Sequence, residues 1–477
     1  MKKLLYIAYF FPPIGGAGVQ RSLKFVRYLP EHGWEPTVIT ARARYWMEDA
    51  ALLAELVPRT RIRRARFLGG ALVHGRPPRL RGDPGAAAEG GPHSIPTPHV
   101  APSPSAPISP EASAGGQRST ARIRMLRSLS GALLVPDPYL GWALPAWRLA
   151  AAELRAGSYD AILTTSSPDS THLIGHSLRR RFGIPWVADF RDPWTRRLSF
   201  APPTPLHLRL HRAMEAACLR QADRVVVTNE ETAEDFRRLH RLDAPGKIVV
   251  IMNGYDEEDF TKATTWLETQ PAPGDASCPA HLRAGILHAG QLNPERPITP
   301  FLRGLRLWID RNPGQAHRAS TVFLGAHYDR DRAAVRQNSL EDFVRFEPPR
   351  THLESVAALL RCRALLLLEQ NSERGALILP GKVFEYLRSG RPILALVPSG
   401  GAADRFVRSR HAGVTMSGAD PAEVAAGIDA VLQRADASES VAPGAERGSS
   451  ADLAAVERRQ LTADLARVLD GLCREIR

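Results

Sequence analysis

A chain of 477 residues is too long for one hydrophobic core and suits two α/β domains. Its composition, 44% hydrophobic and 24% charged, is that of a globular protein, and a net charge of +13 favours anionic partners such as nucleotides or a phospholipid surface. No zinc-finger spacing or basic heptad supports nucleic acid as a partner, four scattered cysteines form no paired pattern, and no apolar run reaches the roughly 18 residues of a membrane span.

The apolar N-terminus, residues 4–11, superficially resembles a signal peptide. It ends at Pro12-Pro13 with no small-residue cleavage site, so it reads as a first buried strand and the protein as cytoplasmic, with peripheral membrane contact as an option. The turn that follows carries Gly15, Gly16 and Gly18 and opens a helix that Gly33 closes before a strand over 36–40. These glycines do not fit the dinucleotide spacing G-x-G-x-x-G. Bare backbone at Gly15-Gly16 nevertheless lets a phosphate or sugar approach closely; the plainer alternative is a tight turn without a ligand.

Residues 69–117 are rich in Pro, Gly, Ala, Ser and Arg, lack periodicity, and read as a disordered insertion inside the first domain. A basic amphipathic helix is expected over 118–135, suited either to an anionic bilayer or to packing on the core. A strand over 159–164 leads into a small, polar run, 165–172, that ends at His172. A further strand over 184–188 leads into Asp189-Phe190-Arg191-Asp192. Both runs stand after strand carboxyl ends, where open α/β sheets bind ligands, so Asp189, Asp192 and His172 are the candidate catalytic groups. The rival reading of Asp189, Arg191 and Asp192 is an ion pair that orders the loop.

The strand over 247–252 ends at Asn253-Gly254-Tyr255-Asp256, and 257–284 loosens in composition and reads as the interdomain linker. A second domain is expected over 285–435, with strands over 286–289, 321–324, 344–346 and 364–368. Its most informative stretch is Pro380-Gly381-Lys382, which breaks the chain just before a short helix closed by Gly390 and followed by a buried strand over 393–397. Free backbone N–H groups and Lys382 at a helix start make an anion site, and Glu385, one turn on, is placed to reach a ribose hydroxyl. A low-complexity stretch, 436–450, and a closing helix within 451–477 complete the chain.

Taken together, the segments 11–21, 166–172, 189–194, 253–256 and 380–396 resemble the family-four-type glycosyltransferases with a glycosyltransferase-four-like N-terminal domain. The resemblance implies the GT-B fold: two facing Rossmann-like domains, an interdomain cleft and a closing C-terminal helix. It implies sugar transfer, with retention, from a nucleotide-sugar donor to a glycan or lipid-linked acceptor in bacterial surface polysaccharide synthesis, without a metal or other cofactor. By the same resemblance Gly15 and Gly16 approach the donor, Arg296, Gly381 and Lys382 hold its diphosphate, and Glu385 holds the ribose. The chain departs from the family at Leu377, where a glutamate eight residues before Glu385 is usual, and at Gln291, where an arginine is usual. A sugar-nucleotide 2-epimerase and a non-catalytic assembly factor of the same fold are the alternative readings.

Overall fold

The computed structural model describes residues 1–42, 48–58, 60–67, 134–272, 274–275, 277–439 and 450–475. The insertion expected over 69–117 and nearly all of the basic helix expected over 118–135 lie outside these residues.

Each half of the chain folds around one wholly parallel sheet. The first contains β1 (Lys2–Ala8), β2 (Trp34–Arg42), β3 (Arg61–Arg66), β4 (Ala161–Thr165), β5 (Trp186–Phe190), β6 (Arg224–Val227) and β7 (Ile248–Val250), in the spatial order β3-β2-β1-β4-β5-β6-β7. The second contains β8 (Ile286–Ala289), β9 (Thr321–Leu324), β10 (Val344–Glu347), β11 (Ala364–Leu368), β12 (Ile393–Leu396) and β13 (Gly413–Met416), in the order β10-β9-β8-β11-β12-β13. These are two doubly wound, Rossmann-like units. In such sheets the strand order reverses beside the first strand, and the crevice outside the carboxyl ends there is the ligand site. In the first sheet that point lies between β1 and β4, in the second between β8 and β11.

Both faces of each sheet are covered, which is why the strands read as continuous apolar runs. Leu5, Ile7 and Tyr9 enter one core cluster and Leu4, Tyr6 and Ala8 the cluster on the opposite face, the period of two that a pleated strand imposes. Along β12 and its exit, Ile393, Ala395 and Val397 face one way and Leu394 and Leu396 the other. β3, with the sequence Arg-Ile-Arg-Arg-Ala-Arg, carries no such signal; it is half solvated and, among the described residues, an edge strand that pairs with β2 alone.

The segment expected to be a loose linker, 257–284, begins with a regular helix, Glu257–Leu267. Asp256 caps it through a bond from the Glu258 amide, and Glu257, Glu258 and Asp259 complement the dipole of its first turn. Phe260 and Ala263 sit in the second domain's core together with Cys278 and Leu282. The helix Pro421–Glu439 runs through the start of the stretch expected to be low in complexity, and 440–449 lie outside the described residues.

The closing helix, Arg458–Glu475, returns to the first domain. Leu461, Leu465, Leu469 and Leu472 recur at helical spacing and pack in one cluster with Leu4, Tyr6, Phe25, Val26 and Trp34. The chain therefore crosses between domains twice, and the crossings are pinned together. The Tyr255 amide donates to the Val456 carbonyl (3.1 Å) and the Arg458 amide to the Tyr255 carbonyl (2.8 Å). Gly254 makes this possible: its φ is +72°, and a Cβ there would lie 2.5 Å from Leu461 Cδ1 and 2.6 Å from the Val456 carbonyl oxygen. Gly254→Ala is expected to destabilise the protein by more than about 1 kcal/mol, through both the positive φ and the clash. Urea denaturation of the two proteins checks this; equal midpoints would show that the crossing yields without cost.

Candidate functional site

The two switch points face one another across a cavity of about 320 Å³. Phe10, Tyr139, Ser167, Asp169, Asp192 and Arg197 are among its lining residues from the first domain, and Asn293, Glu295, Arg296 and Ile378 line it from the second. The domains touch at its rim. Asn229 Nδ2 and Thr232 Oγ1 both donate to the Leu377 carbonyl, at 3.0 and 3.2 Å, and Arg374 donates to the carbonyls of Arg197 and Phe200.

On the second-domain side, Lys382 begins the eight-residue helix Lys382–Ser389, and Gly390 closes it at φ +70°. The Lys382 ammonium lies 3.1 Å from His288 Nε2. The other ring nitrogen, Nδ1, lies 2.9 Å from the Leu366 carbonyl, which only accepts, so Nδ1 carries the proton and Nε2 accepts from the lysine. Burial, with Lys382 next, holds His288 well below its ordinary range and hence neutral. Arg296 donates through Nε to Glu369 Oε1 at 2.7 Å. Glu369 stands one residue past β11, its side chain fully buried, and its Oε2 has no hydrogen-bond partner among the described residues. Burial raises the Glu369 carboxyl against the pull of Arg296. Burial and then the charge of Arg296 lower the Lys382 amine to about 7. Gly290 completes the cluster: φ is +119°, and a Cβ would lie 3.0 Å from the Lys382 nitrogen, so only glycine leaves the amine its place.

Glu385 lies one turn along, its side chain 19% exposed, with Oε1 3.9 Å from His352 Nε2 and 3.7 Å from Arg458 Nη2. His352 bonds Asp259 at 3.1 Å; burial opposes its charged form, but this bond and the Glu385 carboxylate raise it above its ordinary value. The candidate ribose ligand thus stands between Arg458 and a histidine whose charged form its neighbours favour. One of them, Arg458, comes from the chain's second crossing.

On the first-domain side the candidates separate. Asp192 lines the cavity and is partly exposed. Asp189 does not face it. It is the fourth residue of β5, 1% exposed, and both its oxygens are engaged: Arg21 donates through Nε and Nη2 at 3.1 and 2.9 Å, and Thr165 Oγ1 donates at 2.8 Å. Arg21 also donates to the carbonyls of Ile251 and Met252, so this pair ties the glycine-turn helix Ala17–Tyr28 to the end of β7. The expectation that Asp189 acts on substrate is corrected: it is the buried anchor of a structural ion pair. His172 is likewise interior. It is fully buried, stacks on Phe190 at 4.0 Å and pairs Nδ1 with Thr164 Oγ1 at 2.9 Å, and burial lowers it to about 3. Fully buried and stacked on Phe190, the ring is not among the residues that line the cavity, which corrects the second expectation; its Nε2 has no hydrogen-bond partner among the described residues.

Gly15 is buried, while Gly16 is exposed, takes φ +94° and precedes the helix Ala17–Tyr28, whose start has no side-chain cap. The loop is held from behind by Arg191, whose guanidinium donates to the Gly18 carbonyl. Gly381 is exposed at the start of the Lys382 helix.

Three residues of the cavity wall were not singled out from the sequence: Asp137, Asp169 and Arg197. Asp137 reaches across 33 residues to cap the helix Ser170–Phe182, accepting from the Ser170 amide (2.7 Å) and Ser170 Oγ (3.0 Å). Arg197 donates to Asp169 and, at 2.8 Å, to Ser167 Oγ. Burial raises Asp169 to about 7, with Arg197 opposing and Asp137 adding to the rise. Asp137 and Asp169 do stand in legible polar loops; their convergence with Arg197 is a tertiary fact.

The sequence model of Glycosyltransferase Family 4 matches residues 97–259. D-inositol 3-phosphate glycosyltransferase from Geodermatophilus obscurus is 27% identical over 253 residues, 50% of this chain and 51% of the relative. The match thus spans about half the length of that curated relative. Among solved structures, alpha,alpha-trehalose 6-phosphate synthase from Burkholderia multivorans superposes with a TM-score of 0.61 at 13% identity, covering 100% of both chains. Anabaena HepE in complex with UDP-glucose superposes with a TM-score of 0.59 at 11% identity, over 99% of this chain and 100% of that one. The fold is therefore the two-domain GT-B fold.

Proposed function

From a chain of the family-four glycosyltransferase type, we propose transfer of a sugar from a nucleotide-sugar donor to a hydroxyl of a glycan or lipid-linked acceptor. One observation carries the reading: Arg296 lines the cavity from the second domain opposite the carboxylates of the first, and its charge is felt by Lys382, which stands behind that lining at a helix start. Breaking a sugar–diphosphate bond leaves negative charge on the departing phosphate. Fixed cations and helix N–H groups aimed at it lower the barrier without rearranging during the reaction. Lys382, Arg296 and the amides after Gly381 supply that charge from this chain's own atoms, and no metal is required in the proposal. Glu385 accepts from the ribose hydroxyls, and Gly15-Gly16 let the donor approach the first domain.

In this reading the acceptor oxygen attacks from the face that the diphosphate leaves, the leaving oxygen takes the acceptor's proton, and the anomeric configuration is retained. Asp192, on the first-domain wall, orients the acceptor or the transferred sugar. Synthesis of a bacterial surface polysaccharide at the cytoplasmic face of the membrane is the setting proposed. Among the described residues no helix is long and apolar enough to cross a membrane, so contact with the lipid surface in that setting would be peripheral.

A thermal-shift screen of the full chain against UDP-, GDP-, dTDP- and CMP-sugars, with and without magnesium, tests the donor site. Ligand at 100 times its dissociation constant adds about 2.7 kcal/mol of stability. One nucleotide series is expected to stabilise the protein, and Glu385→Ala is expected to abolish that response. No response to any series would remove the donor reading, and with it the assignment as a transferase.

A further inference from the structure

The first-domain wall of the cavity holds two devices that ordinarily bind anions, and both are already neutralised from within. The start of the helix Ser170–Phe182 is such a site, but the Asp137 carboxylate occupies it through the Ser170 amide and hydroxyl. The Arg197 guanidinium is another, but it is paired with Asp169 and bonded to Ser167 Oγ. Charges on this first-domain wall lean the same way: Asp137, Asp169 and Asp192 stand against Arg197. Among the described residues, a phosphate brought to this wall meets carboxylates and an arginine that is already paired.

The same wall suits an uncharged ring. Asp169 is 99% buried and its Oδ1 has no hydrogen-bond partner among the described residues; the hydroxyl of Ser166, three residues earlier, has none either. A buried carboxyl oxygen without a hydrogen-bond partner costs free energy until one arrives, and a sugar hydroxyl, which can donate or accept, is one. Phe10 and Tyr139 supply aromatic surface on the same side of the cavity, their ring centroids 6.0 Å apart and nearly perpendicular. Apolar faces beside a few fixed polar groups are the usual lining of a small-molecule site.

We propose that this wall binds the acceptor as an uncharged sugar ring, its hydroxyls donating to Asp169 and Asp192 and its face resting on Phe10 and Tyr139, and that it rejects a phosphorylated polyol. The proposal rests on the transferase reading and names the acceptor class for it. It also separates this chain from its curated relative, whose name specifies an inositol phosphate.

Saturation-transfer NMR on the full chain with UDP present tests it, using octyl glycosides of glucose, galactose, mannose and N-acetylglucosamine against myo-inositol 1-phosphate. At least one glycoside is expected to give signal with the wild-type protein, and the inositol phosphate none. Asp169→Asn removes a charged acceptor and frees Arg197, so glycoside affinity should fall about tenfold or more while inositol phosphate begins to bind. Phe10→Ala, which disturbs no ion pair, should weaken the glycosides alone and covers the case in which the Asp169 variant misfolds. Inositol phosphate binding to wild type as well as any glycoside does, no glycoside binding at all, or glycoside affinity unchanged in both variants would each overturn the proposal. A UDP-glucose thermal shift on the same samples reports on the donor site separately, so loss of the donor reading is distinguishable from loss of this one.

Discussion

Lys382→Ala is expected to lower turnover by about 10²–10³-fold, the usual loss when one fixed donor to a developing anion is removed. The amine is placed for this role from three sides. Gly290 leaves it space, His288 accepts one of its protons, and the helix start puts backbone amides beside it. The variant leaves the buried His288 Nε2 without its donor, so thermal unfolding is measured beside turnover. The same residue gives a pH signature. Burial and Arg296 lower the amine from its ordinary 10.5 to about 7, so in the free protein it loses its proton as pH rises through that value. A diphosphate binds the protonated form, and above pH about 7 binding must take up a proton. Affinity for the nucleoside diphosphate is therefore expected to fall with rising pH above about 7, by up to about tenfold per unit, and the dependence should vanish in Lys382→Ala. The stability effect has the opposite sign. The unfolded chain holds more protons than the folded one between about 7 and the ordinary value, so this group's contribution to stability improves as pH rises through that window. Titration calorimetry in buffers of different ionisation heat, at several pH values, measures proton uptake directly. A pH-independent affinity with no uptake would show that Lys382 does not meet the phosphates.

Asp189→Asn is expected to destabilise the protein by about 3–5 kcal/mol, the cost of leaving a buried charge without its partner. Arg21 and Asp189 have side chains 3% and 1% exposed, and asparagine keeps the shape while stranding the guanidinium. Arg21 retains its bonds to the Ile251 and Met252 carbonyls, but these do not neutralise it. Denaturant unfolding followed by fluorescence measures the loss, and turnover at a temperature where the variant stays folded should remain within a few-fold of wild type. Wild-type stability with abolished turnover would return Asp189 to the catalytic role that its position after a strand first suggested.

The contrast between those two residues shows how far local pattern reaches. Lys382 was legible as a candidate because the signals that mark a helix start are local: a Pro-Gly break, a short amphipathic helix and a closing glycine lie within about ten residues. Asp189 was misread because its partner, Arg21, lies 168 residues away along the chain. His172 was misread for a related reason. Its neighbours along the chain are small and polar, but Phe190, which covers its ring, stands at the end of β5.

By itself, the sequence determined the alternation of strands and helices, the two-domain division and the glycine turn that opens the first half. These follow from hydrophobic period and backbone freedom, which act over a few residues. Only the tertiary structure decided which polar residues share a cavity. It turned Asp189 and His172 inward, brought Asp137, Asp169 and Arg197 together, and set Glu369 behind Arg296. It also made a packed helix of the expected linker and sent the closing helix back to the first domain, where Arg458 meets Glu385. The physical reason is that burial and ionic pairing are set by contacts between residues distant in the chain, and no local spacing encodes them.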